Sequence, residues 1–78
     1  MIRIIYTAHA QRRIRQRHVT RRMVEQTLSV PDHPYRRGNV ADEEIAERRF
    51  GNRIVQVVFE ERKTGELIVI TVKAATRR

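Results

Sequence analysis

IVQVVFEERKTGELIVITV, residues 54–72, is the stretch on which the fold turns. Val55, Val57 and Phe59 alternate with Ile54, Gln56, Val58 and Glu60, the period of a strand with one buried face. Arg62 to Glu66, containing Gly65, makes a turn. Leu67 to Val72 is almost continuously apolar, which predicts a central strand buried on both faces. Upstream, Gly51-Asn52 is a tight-turn dipeptide that joins a strand over Glu44 to Phe50 to the strand beginning at Ile54. Asp32 to Asn39, with Pro34 and Gly38, reads as loop with a short edge strand around Tyr35, and Asp42-Glu43-Glu44 as a solvated turn.

Toward the N-terminus the period becomes helical. Ile2 to Tyr6 reads as a first strand, and Thr7 as the N-cap of a helix from Ala8 to about Gln16 whose narrow apolar stripe is Ala10 and Ile14. His18 falls where that helix stops, a position that prefers Gly or Asn. Thr20 caps a second helix to about Leu28, with Met23, Val24, Thr27 and Leu28 on one packing face, and Pro31 follows it. Only Ala75 to Arg78 reads as a tail. The pattern predicts an α+β fold, a single domain over residues 1–78: two N-terminal helices packed on one face of an antiparallel meander sheet of about four strands.

At 78 residues such a domain has a thin core, which excludes dinucleotide-binding and barrel enzymes and predicts a shallow site. With no cysteine, disulfides, thiolate zinc sites and cysteine nucleophiles are excluded, and a reducing, cytoplasmic setting is expected. The Leu67–Val72 run is too short to cross a bilayer, so no membrane association is expected. The Arg-rich start has the composition of a transit peptide. Its removal would take away the first strand, so it is read as part of the domain.

The net charge of +8 is unevenly placed. Residues 1–22 carry seven arginines and no acid, residues 23–50 are acidic by 6 to 4, and residues 51–78 are basic by 6 to 3. Arginine outnumbers lysine 15 to 2, and its planar fork suits bidentate contact with phosphate. A polyanionic partner, RNA or the ribosome, follows, with Arg12, Arg13, Arg15, Arg17, Arg21 and Arg22 as nucleic-acid-binding candidates.

His9, Arg13 and Arg17 recur every four residues beside Ala10 and Ile14, whereas Arg12 and Arg15 point to solvent. A histidine in a first helical turn, next to two guanidiniums, is placed to stay neutral and accept a proton from a ribose 2′-hydroxyl while the arginines hold the phosphate. The same residues also suit a plainer role: His9 as a packing or phosphate contact, and Arg13 and Arg17 as stems over the core paired with Glu47 or Glu60. Arg48 and Arg49 are adjacent on a strand, so at most one reaches a site on the helix-covered face. Thr71 is either satisfied internally or lines a cleft, and Tyr6 and Tyr35 either stack on a base or belong to the core. His9, His18 and His33 lack metal-ligand spacing, and neither metal nor cofactor is expected.

Taken together, Tyr6-Thr7-x-His9-Ala10-x-x-Arg13-x-x-x-Arg17-x-Val19, the arginine-containing strand ending at Phe50-Gly51 and the final Ile68-Val69-Ile70-Thr71-Val72 resemble a small bacterial domain family of unassigned function. That family is grouped with RelE-like toxins and is similar to the BrnT toxins. The resemblance implies a RelE-like fold, a metal-independent endoribonuclease that inhibits translation, and a neighbouring acidic antitoxin. By position it implies His9, Arg13, Arg17, Arg48 and Thr71 as catalytic residues. A non-catalytic RNA- or ribosome-binding module, and a protein-interaction partner of an acidic antitoxin, are the competing readings, with the chain a monomer or homodimer.

Overall fold

A computed structural model of the chain describes residues 3–40 and 42–76. The elements are β1 (Ile4–Tyr6), α1 (Ala8–Gln16), α2 (Arg21–Ser29), β2 (Arg36–Arg37), β3 (Glu43–Phe50), β4 (Arg53–Glu61) and β5 (Leu67–Thr76). Ile2, expected in the first strand, and Arg77 and Arg78, expected in the tail, lie outside the described residues. Glu43 and Glu44, expected in a solvated turn, open β3, and β5 continues through Ala75 to Thr76.

The class is α+β as expected, but the sheet has five strands and is mixed. Its order is β1-β5-β4-β3-β2; β2 to β5 pair antiparallel, and β1 pairs parallel with β5. Two helices separate β1 from the meander, so no hairpin dictates the direction of β1. The helical crossover delivers the chain to the far edge at β2, and the meander then works back until β5 lies beside β1.

Both helices cover one face: α1 lies on β5 and β1, α2 on β4 and β3. Ala10, Ile14, Val19, Val24 and Leu28 meet Ala46, Val55, Val57, Phe59, Leu67, Val69 and Val72 there. A bulge makes this register possible. Val57 pairs with Val72 and Phe59 with Val69, so Ile70 is an extra residue. Val69 and Val72, three apart, thereby face the same core, which strict alternation forbids. The expectation that Leu67–Val72 is buried on both faces is corrected: Leu67, Val69 and Val72 are buried, while Ile68, Ile70 and Thr71 are half-buried because, among the described residues, both helices pack on the opposite face.

The bulge is also where α1 is anchored. Thr7 Oγ1 accepts from Ala10 N at 3.0 Å, the expected N-cap, and donates to Ile70 O at 3.1 Å; Thr7 N donates to Val69 O at 3.1 Å. Past this point the outer edge of β5 has no strand neighbour among the described residues, β1 pairing with Leu67, Ile68 and Val69.

The other end of α1 closes in a Schellman arrangement, with Val19 N donating to Ile14 O at 3.0 Å and His18 N to Arg15 O at 3.3 Å. Arg53 on β4 donates to Arg17 O and His18 O, occupying two free carbonyls. His18 takes φ 54°, the left-handed conformation expected of glycine at this position, at a steric cost of about 1–2 kcal/mol for an L-residue. Thr20 caps α2 as expected, accepting from Met23 N at 3.1 Å.

Replacing His18 by glycine is expected to stabilise the domain by about 1 kcal/mol, because the relieved strain exceeds the added freedom of the unfolded chain. Urea denaturation checks it, with His18→Val as the opposite control, expected to lose stability.

Candidate nucleic-acid interface

The arginines between residues 3 and 22 lie mostly at the surface. Arg3, Arg12, Arg15, Arg17, Arg21 and Arg22 are exposed, and Arg13 is half-buried against the flank of α1. The ion pairs found among the described residues both converge on Glu47, from Arg36 at 2.9 Å and from His33 at 3.8 Å. Glu47 and Glu60 are therefore not the partners of Arg13 or Arg17 that the sequence allowed. The reason is register: Glu47 lies with Gln56 on the face away from the helices. Among the described residues no carboxylate pairs with the arginines of α1.

Of the five residues named as catalytic, the structure brings two together. Arg13 Nε donates to His9 Nε2 at 3.5 Å, and Arg13 Nη1 to Gln16 Oε1 at 3.4 Å. The Arg17 side chain is exposed one turn further on. Arg48 faces the helices, but on the α2 side: it donates to Val30 O at 2.9 Å and lies 5.4 Å from the Phe50 ring centroid, fastening the end of α2 to β3. Arg49 points the opposite way, as strand alternation required, and donates to Gly51 O at 2.8 Å. Thr71 pairs with Val58 on the uncovered face, so the sheet separates it from His9 and Arg13. The bulge at Ile70 decides this, and nothing in a continuous apolar run marks where a bulge falls.

Beside the basic surface lies an open cleft of about 720 Å³ between β1 and the two helices. Ile4, Leu28 and Leu67 give it an apolar floor, and Tyr6, Gln11, Arg21, Glu25, Ser29 and Tyr35 bring polar groups to it. The Arg21 guanidinium lies over the Tyr6 ring, 4.9 Å from its centroid. The Tyr35 ring packs edge-on against Phe59, and its hydroxyl donates to Leu28 O. Both tyrosines thus combine a core role with exposure to a cavity. Glu25 and Gln11 were not singled out from sequence; the available signal was the Arg21/Glu25 spacing, i and i+4 on the α2 side nearest Tyr6.

Burial pushes the Tyr6 hydroxyl above its ordinary 10.0; nearby Glu25 adds to the rise and Arg21 opposes it. Burial raises Tyr35 as well, with Glu61 and Glu44 contributing. Among the described residues no three His, Asp or Glu side chains come together to hold a metal ion, and no helix is long and apolar enough to cross a membrane.

A small α+β domain with an unpaired arginine surface is the class that fold and charge define. By sequence, residues 6–73 match the domain of unknown function DUF4258, and the chain belongs to that family. No curated protein and no solved structure matches it.

Alkaline titration followed by tyrosinate absorbance is expected to give midpoints above 10.0 for both tyrosines. The sign follows from the raised folded value: the folded state holds the phenolic protons more tightly. This contribution to stability is complete below the ordinary value and is lost as pH rises through the folded one.

Proposed function

We propose that this domain binds single-stranded RNA through the face formed by α1 and the start of α2. The observation that carries the reading is the run of exposed arginines, Arg12, Arg15, Arg17, Arg21 and Arg22, with no carboxylate partner among the described residues. Guanidiniums spread over α1, its C-cap and the first turn of α2 repel one another, and a phosphate backbone relieves that repulsion while the arginines release its condensed counterions. The resemblance of the His9-Ala10-x-x-Arg13-x-x-x-Arg17 pattern to RelE-like toxins supports RNA engaged in translation as the target.

A second reading, metal-independent RNA cleavage, is favoured by the His9–Arg13 contact. In this reading Nε2 of His9 serves as the proton acceptor and Arg13 lies beside it. A phosphate that draws Arg13 away frees Nε2 to take the 2′-hydroxyl proton. The 2′-oxygen then bonds to phosphorus, the bond to the 5′-oxygen breaks, and that oxygen is protonated from water. Arg48 and Thr71 take no part in this centre, which rests on His9, Arg13 and Arg17.

Titrating a fluorescent decauridylate against salt tests the binding face. Three to six phosphate contacts predict a slope of log affinity on log salt of about −2 to −4. Arg12→Ala with Arg15→Ala is expected to flatten that slope by about 1.4, and His9→Ala to leave it unchanged. A salt-independent affinity overturns the binding reading. Cleavage of free RNA or of ribosome-bound mRNA that disappears in His9→Ala supports the second reading, and no cleavage in either setting overturns it.

A further inference from the structure

We propose that the cleft beside Tyr6 is a site for one unpaired guanine base, with Arg21 as its stacking plane and Glu25 as the group that reads its Watson–Crick edge. As a subsite for a bound strand it rests on the RNA-binding reading above.

The placement of Glu25 is the first argument. It is the only acid in the first 31 residues, on the most basic part of the chain. There it makes no ion pair among the described residues, although Arg21 precedes it by one helical turn. A surface that attracted phosphate by charge alone would be weakened by a carboxylate at this point. A surface that must also recognise a base needs an acceptor, and a carboxylate only accepts.

Arg21 supplies the stacking plane. Its guanidinium carbon lies over the Tyr6 ring, 4.9 Å from the centroid, and the residue is exposed. Bases stack on arginine planes as they do on aromatic rings, so a base entering over Ile4 and Leu67 meets Arg21 as a stacking partner. The cleft is also of ordinary ligand-site size.

Edge chemistry selects the base. Guanine presents two adjacent donors, N1–H and N2–H, that fit the two oxygens of one carboxylate. Adenine and cytosine set a single amino group beside a ring acceptor, and uracil sets one N–H between two carbonyls, which repel a carboxylate. The Tyr6 hydroxyl, which keeps its proton well past neutral pH, is a donor for the guanine O6.

The test uses the full chain. Nucleoside 5′-monophosphates are titrated while backbone amide shifts are followed by NMR, and decauridylate is compared with the same strand carrying one central guanine. GMP is expected to shift the amides around Tyr6 and Arg21–Leu28 and to bind about tenfold more tightly than UMP, as one bidentate base contact discriminates. The guanine-containing strand should gain a similar factor over decauridylate. Glu25→Gln should abolish both preferences without weakening decauridylate binding, and Arg21→Ala should weaken GMP; both side chains are exposed, so the variants fold. Equal affinity for GMP and UMP, or a preference that survives Glu25→Gln, overturns the site. Selective GMP binding without any decauridylate binding upholds the cleft and overturns only the RNA-binding face.

Discussion

One threonine hydroxyl ties the helical layer to the sheet. Thr7 Oγ1 receives the Ala10 amide and gives its own proton to Ile70 O, so the start of α1 and the bulge in β5 are fixed by a single atom. That point sets the phase of α1, turning Ala10 and Ile14 inward and the arginines outward. It also holds the register by which Val69 and Val72 share one core. Loss of the hydroxyl would remove the partner of an amide and of a carbonyl at the junction of two layers.

From that junction the molecule divides its charge by layer. The acids lie mainly on the meander and its loops, where Glu47 draws in Arg36, His33 and Gln56, whereas the guanidiniums of α1 have no carboxylate partner among the described residues. Two strand arginines bind helix-end carbonyls instead: Arg53 closes the end of α1, and Arg48 the end of α2. Arginines on β3 and β4 thus complete helix ends from the sheet, while those on the helices mainly present charge. Composition does not separate them; strand or helix location does.

Local chemistry was the legible part of the sequence. Both N-caps, both helices, the Gly51-Asn52 turn and the conformation at His18 follow from residues close in the chain, and the structure places them where they were expected. The parallel pairing of β1 with β5 was not legible, because it joins segments 63 residues apart and no hairpin records its direction. The same limit applied to the candidate site. The His9–Arg13 contact is a single helical turn and could be read directly, but the positions of Arg48 and Thr71 depend on which face each strand shows. The cleft was missed for a related reason: Tyr6, Arg21 and Leu67 become neighbours only once β1 is seated beside β5.

The anchoring at Thr7 carries one more consequence, for how copies of this chain stay apart. An unpaired strand edge rich in β-branched residues is a template for another extended chain, and β5 offers such an edge beyond Val69. Thr7 already occupies two carbonyls where that edge begins, those of Val69 and Ile70, and the bulge twists the strand at the same place. A foreign strand approaching there meets a broken ladder, with Lys73 further along. The contact that seats the helix therefore also guards the sheet against edge-to-edge aggregation.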